Sequence, residues 1–142
     1  MDTAPVTVFF YGLFMDESLL ASKGFSLSGA TVGYVDGFGL RIGRRATLVP
    51  ETGNRAFGVV TEMAAEAVSA LYAEESVSDY VAETVSVVLN DGHRKSAVCY
   101  NLPKDKLGGT NPEYARSLLA LAIQLGFPDP YLQQIRKHLR PV

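Results

Sequence analysis

The run Val6-Thr7-Val8-Phe9-Phe10-Tyr11-Gly12-Leu13-Phe14-Met15-Asp16-Glu17-Ser18-Leu19-Leu20 decides the reading of this chain. Its first half is β-branched and aromatic without polar alternation, which predicts a strand buried on both faces. Gly12 breaks the run, at a point where a glycine lets the backbone turn and lets another group approach it closely. Asp16 or Ser18 then offers an N-cap for a short helix. A strand, a glycine turn and a helix start leave several backbone N–H groups facing one way, and such a cradle suits an anion or a developing oxyanion.

Outward from that stretch, the remaining segments alternate irregularly. Strands are predicted at residues 30–35, 37–42, 46–49 and 55–61, with Pro50 as a stop and residues 51–54 as a turn. Good helix formers fill residues 64–72, with Ala67, Val68, Leu71 and Tyr72 on one side and Glu66 near the start. A strand over 80–89 and another over 95–100 flank Asn90-Asp91-Gly92-His93, and the Asp-Gly pair marks a hairpin turn. Asn111-Pro112 opens a helix that runs to about Leu125 and ends at Gly126. Asp129-Pro130 repeats the start signal for a last helix over 131–139. This order is not a βαβ alternation, so a doubly wound sheet is not expected. The expected fold is α+β: a small mixed or antiparallel β-barrel with helices packed outside, one domain over residues 1–142.

Composition bounds the function. The chain has 142 residues, 47% of them hydrophobic and 20% charged, enough for a core of its own. Lys plus Arg total 13 and Asp plus Glu 15, a net charge of −2, which argues against a nucleic-acid protein. Arg41, Arg44 and Arg45 cluster, as do Arg136, Lys137, His138 and Arg140; without an aromatic platform or motif beside them, both groups read as solvated surface. The single cysteine, Cys99, excludes an internal disulfide and fits a reducing compartment. The apolar run near the N-terminus is too short to span a membrane and lacks a signal-peptide layout, so a cytoplasmic location is expected.

Few residue sets offer chemistry. His93 and His138 show no metal-ligand spacing with each other or with Cys99, so no metal is expected. Cys99 alternates along an apolar strand as a buried thiol does. Carboxylates remain. Val68, Leu71 and Glu75 are spaced three and four apart, so a continued helix with Val68 and Leu71 facing the core turns Glu75 inward and Glu74 outward. A carboxylate facing the interior has a raised pKa, which suits a general base or acid near neutral pH. A solvated pair of glutamates at a helix end is the alternative.

Four pieces together resemble the gamma-glutamylcyclotransferase-like family, in order and spacing. Val8-Phe9-Phe10-Tyr11-Gly12-Leu13-Phe14 is similar to its substrate loop, a strand ending in Tyr-Gly-Ser/Thr. Ala46-Thr47-Leu48-Val49-Pro50 and Phe57-Gly58-Val59-Val60 resemble its middle strands. Leu71-Tyr72-Ala73-Glu74-Glu75, followed by Tyr80, resembles its Leu-Asp-x-x-Glu-Gly segment. Asn111-Pro112-Glu113-Tyr114, with Gly126-Phe127-Pro128 and Tyr131, is similar to the C-terminal helices of the branch that includes glutathione-related enzymes.

The resemblance implies a small barrel with a cavity, a cofactor-free reaction and one essential glutamate, by position Glu75. It also implies that the backbone of Tyr11, Gly12, Leu13 and Phe14 holds the substrate, with Tyr80 and Tyr114 as pocket walls. The implied reaction converts a γ-glutamyl amide or peptide to 5-oxoproline and a released amine or amino acid. A non-catalytic small-molecule-binding domain of the same fold is the alternative. The implied partner is a small γ-glutamyl substrate, with a homodimer as an option and neither nucleic acid nor membrane. Three positions depart from the family pattern: Leu13 for Ser or Thr, Tyr72 for Asp, and Ser76 for Gly. Leu13 is the residue expected to set this chain's substrate apart.

Overall fold

A computed structural model describes residues 5–25, 28–73, 77–106 and 108–139. The opening run forms β1 (Pro5–Phe10), and Val8, Phe9 and Phe10 are all buried, so both faces of the strand are covered. After Gly12 the chain makes one 3-10 turn (Leu13–Met15) and enters α1 (Glu17–Ser22). Asp16 caps α1, its carboxylate accepting from the N–H groups of Ser18 and Leu19, so of the two expected caps it is Asp16 that serves.

The four short strands expected next are two long ones. β2 runs Ser28–Ile42 and β3 runs Ala46–Ala64, paired antiparallel from Ile42↔Ala46 back to Ser28↔Glu62. Pro50 does not stop β3; it sits opposite Phe38 beside a shift of register between Asp36 and Phe38. Gly37 and Gly53, both with positive φ, take up that irregularity, which is the conformation glycine alone adopts without strain. What reads locally as two breaks is therefore one bulge inside a continuous hairpin. Glu51 pairs there with Arg41 and Asn54, and those hydrogen bonds, Asn54's first, lower its pKa.

The chain then forms α2 (Ala65–Tyr72), β4 (Val81–Leu89), β5 (Arg94–Asn101), α3 (Pro112–Gln124) and α4 (Asp129–Arg136). The predicted signals hold at the β4–β5 turn, where Gly92 has φ +91, and at α3, where Asn111 accepts from the Tyr114 N–H and Gly126 (φ +80) follows. The last helix starts two residues earlier than expected, at Asp129, with Pro128 in the cap position. The strands close into a barrel in the order β1-β3-β2-β4-β5. Closure is parallel, β1 against β5 with Val8 opposite Val98, while the other pairings are antiparallel.

Helices cover the barrel. Val68 and Leu71 of α2 are buried, as their spacing predicts, and so are Ala115, Leu118 and Ala122 of α3. On α4, Tyr131, Leu132 and Ile135 are buried. Tyr131 and Phe127 join Phe57 in a ring cluster, with centroids 5.4 to 5.8 Å apart. Gln134 fastens α4 to the barrel through Asn54 (3.0 Å) and the Arg55 carbonyl (3.2 Å). Among the described residues no helix is long and apolar enough to cross a membrane.

Asn101, at the end of β5, ties two barrel strands together. Its side-chain oxygen accepts from the Leu48 N–H (3.1 Å) and from the Thr47 hydroxyl, and its amide donates to Glu83. The Thr47 hydroxyl in turn accepts from the Leu102 N–H at 2.9 Å. Cys99 lies beside this network, fully buried, and burial pushes its thiol up to about 12. Replacing Asn101 with Ala orphans the buried Leu48 N–H, and the expected loss is about 2 kcal/mol of unfolding free energy, read as a lowered urea midpoint at unchanged m. Burial keeps the Cys99 thiol protonated at pH 8 and out of reach of solvent. Cys99 should therefore resist disulfide reagents in the native protein and react at once in denaturant.

Candidate functional site

A cavity of about 360 Å³ opens at the end of β1. Tyr11, Gly12, Leu13, Phe14, Tyr80 and Tyr114, all of them selected from the sequence as site residues, line it together. They come from distant parts of the chain: the end of β1, the segment before β4, and the first turn of α3. Phe10, Leu19, Ala46, Tyr72, Val77 and Tyr100 complete its apolar wall, and Lys23 and Arg45 bring the charge.

Two hydrogen bonds fix the Tyr11-Gly12-Leu13 corner. The Tyr11 hydroxyl donates to the Tyr100 carbonyl of β5 at 2.6 Å. The Leu13 N–H donates to the Tyr114 hydroxyl of α3 at 3.1 Å. The expected cradle of N–H groups is thus already engaged at Leu13, by a phenol. Gly12 explains how the phenol reaches it, because a Cβ on Gly12 would lie 2.4 Å from the Tyr114 Oη. The glycine is needed here for close approach, since its φ of −109 is ordinary. The 3-10 turn satisfies its own next donors, Met15 N–H to the Gly12 carbonyl and Asp16 N–H to the Leu13 carbonyl, both at 3.0 Å.

The wall opposite is aromatic. Tyr72 stacks on Tyr100 with centroids 3.8 Å apart and planes 12° apart. Phe14 meets Tyr72 edge-on at 5.7 Å, and Phe10 meets Phe14 edge-on at 5.9 Å. Tyr80 lies 6.2 Å from Tyr72 and donates its hydroxyl to the Ala46 carbonyl. Burial raises the pKa of Tyr11, Tyr72, Tyr80 and Tyr100, and takes Tyr114 up to about 12. Every phenol in the wall therefore stays protonated near neutral pH and can serve as a hydrogen-bond donor, not as a base.

Arg45 corrects the sequence reading. Its cluster with Arg41 and Arg44 looked like solvated surface, yet Arg45 lines the cavity, pairs with Asp79 at 3.2 Å and lies over the Tyr80 ring at 5.9 Å. Lys23 and Tyr100 were likewise not selected from the sequence. No local signal marks them, because only barrel closure brings α1's end, the β2–β3 turn and β5 to one mouth. Among the described residues, no group of three or more His, Cys, Asp or Glu is placed to hold a metal ion.

Glu75 lies outside the described residues, with Glu74 and Ser76. The described part of α2 ends at Tyr72, with Ala73 as its C-cap.

The sequence profile of the AIG2-like family matches residues 55–135, more than half of the chain. Among solved structures, the chain is similar to a gamma-glutamyl cyclotransferase, with a TM-score of 0.77 at 19% identity over 98% of this chain and 90% of that one. A gamma-glutamyl cyclotransferase specific to glutathione from yeast matches with a TM-score of 0.66 at 16% identity, over 96% of each chain. An AIG2-like protein from Mus musculus matches with a TM-score of 0.58 at 15% identity, over 77% of this chain and 90% of that one. No curated protein sequence matches the chain.

Gly12→Ala tests the corner. The added methyl has no room beside the Tyr114 hydroxyl, so the Leu13 bond should break. The expected outcome is a loss of about 1–2 kcal/mol in chemical denaturation. A Gly12→Ala, Tyr114→Ala double variant should lose less than the sum of the single changes, since removing the ring also removes the clash.

Proposed function

The chain belongs to the AIG2-like family, and from that premise we propose that it is a cyclotransferase acting on γ-glutamyl amides or peptides. The observation that carries the proposal is the single cavity that gathers Tyr11, Gly12, Leu13, Phe14, Tyr80 and Tyr114. The fold shared with gamma-glutamyl cyclotransferases supports it. The described lining supplies phenols, one lysine and one arginine. Tyr72 and Val77 of that wall bracket Glu74 and Glu75 in the sequence, which supports Glu75 as the base.

In this proposal the substrate's own α-amine is the nucleophile. Its nitrogen attacks the γ-carbonyl carbon, closing a five-membered ring, and the carbon–nitrogen bond to the leaving amine breaks. Two protons leave the α-ammonium as it becomes the ring N–H. Glu75 takes them in turn and passes them to the departing nitrogen, which leaves as an ammonium; no cofactor or co-substrate is consumed. Ring closure is intramolecular, so positioning supplies much of the rate. Glu75 in an apolar setting would have a pKa raised toward neutrality, as a proton carrier requires. The Tyr11–Phe14 corner would hold the substrate's carboxylate or the tetrahedral oxyanion. The Tyr114 oxygen accepts from the Leu13 N–H, and in this reading its own proton would be donated to the substrate.

A second reading, binding of a small molecule without turnover, is favoured by one observation: Leu13 stands at the corner where the family pattern has Ser or Thr. Activity separates the two. The purified chain, incubated with a panel of γ-glutamyl amides and peptides, should release 5-oxoproline from at least one, measured by chromatography. Glu75→Gln should lower kcat by about 100-fold or more. Release at the wild-type rate by Glu75→Gln, or no release from any compound, would overturn the cyclotransferase.

A further inference from the structure

Resting on the cyclotransferase reading, we propose that the cavity selects γ-glutamyl compounds whose leaving amine carries an uncharged aromatic body, and that Tyr72 sets this preference. Two of the positions that depart from the family pattern, Leu13 and Tyr72, line the same cavity. At each an apolar or aromatic side chain stands where a polar one was expected, and Tyr72 lies against Phe14, the neighbour of Leu13. The departures therefore act together on one wall.

Tyr72 packs against the edge of the core and also lines the cavity. The buried face of α2 is made by Val68 and Leu71, while Tyr72 is half-buried and turned to the cavity. There it meets Tyr100 face to face and Phe14 edge-on, with Tyr80 at 6.2 Å. Four rings at these spacings form a surface that a further ring joins by edge or offset contact. Ring–ring attraction adds to area burial there, so an aromatic tail gains more than an alkyl tail of equal size.

Charge narrows the class further. The described lining carries two cationic side chains, Lys23 and Arg45, and Arg45 is held against Asp79 and the Tyr80 ring. The γ-glutamyl half brings one carboxylate of its own. A leaving group with a second carboxylate would set that charge beside the ring faces, which carry the negative end of the aromatic quadrupole. An uncharged amine tail avoids that cost. The preference thus points to γ-glutamyl derivatives of aromatic amines over those of amino acids.

The test compares L-γ-glutamyl benzylamide, L-γ-glutamyl ethylamide and L-γ-glutamylglycine by kcat/KM for 5-oxoproline release. Wild type should favour the benzylamide over both others by at least about tenfold, a difference of about 1.4 kcal/mol. Tyr72→Ala should bring the benzyl-to-ethyl ratio to within about threefold, and Tyr72→Phe, which keeps the ring, should retain it. A wild-type ratio near one, a preference for the glycine compound, or an unchanged ratio in Tyr72→Ala overturns the inference while leaving the cyclotransferase standing. If none of the three is cyclised, the cyclotransferase reading fails for these substrates and binding decides the inference. N-benzylacetamide and N-ethylacetamide are then titrated by NMR. Tighter binding of the benzyl probe to wild type, lost in Tyr72→Ala and kept in Tyr72→Phe, supports the aromatic site. Equal or absent binding overturns it. Circular dichroism of each variant shows that it is folded before either measurement is read.

Discussion

The contact between the first turn and the third helix governs this molecule. The Tyr114 hydroxyl reaches the Leu13 N–H across a gap that only a glycine at position 12 leaves open. One residue earlier, Tyr11 is tied to β5 through the Tyr100 carbonyl. These two bonds, each spanning roughly two-thirds of the chain or more, join the end of β1 to both the barrel's closing strand and the helix beside its mouth. The cavity is the space left between them. A side chain at position 12 would displace the Tyr114 hydroxyl, and with it the part of the wall that Tyr114 contributes.

Around that corner the chain concentrates aromatic side chains. A core needs apolar volume, and the barrel interior supplies it with Val, Leu, Phe and Ala. The rings at the mouth are different in kind. Their phenols are held protonated by burial, and those of Tyr11 and Tyr80 bond to backbone carbonyls, which fixes these two rings by their polar ends. Rings fixed in this way are pre-organised and would need little further ordering on binding. Lys23 and Arg45 bring the charge to this lining.

The candidate site was legible in pieces. Tyr11-Gly12 stood out because a glycine ending a buried strand signals close approach, and the structure shows what approaches it. Tyr80 and Tyr114 were reached by resemblance in order and spacing. Arg45 was misread because an arginine in a basic cluster looks the same in sequence whether it faces water or a cavity. Glu75, read as inward from the spacing of Val68 and Leu71, lies outside the described residues.

By itself the sequence determined what is decided within a few residues. Asp16 and Asn111 cap their helices because a short polar side chain can reach N–H groups two or three residues ahead. Asp91-Gly92 turns the hairpin because glycine accepts the φ that turn requires. Val68 and Leu71 face inward because a helix repeats every 3.6 residues. The tertiary structure decided what depends on partners far along the chain. It carried β3 through Pro50 and Gly53, since the pairing with β2 on both sides of the bulge outweighs a local break. It closed β1 against β5 in parallel, a pairing with no local signature. It also turned Arg45 and Tyr72 toward one cavity, because which face of a segment is inside is settled only when the barrel shuts.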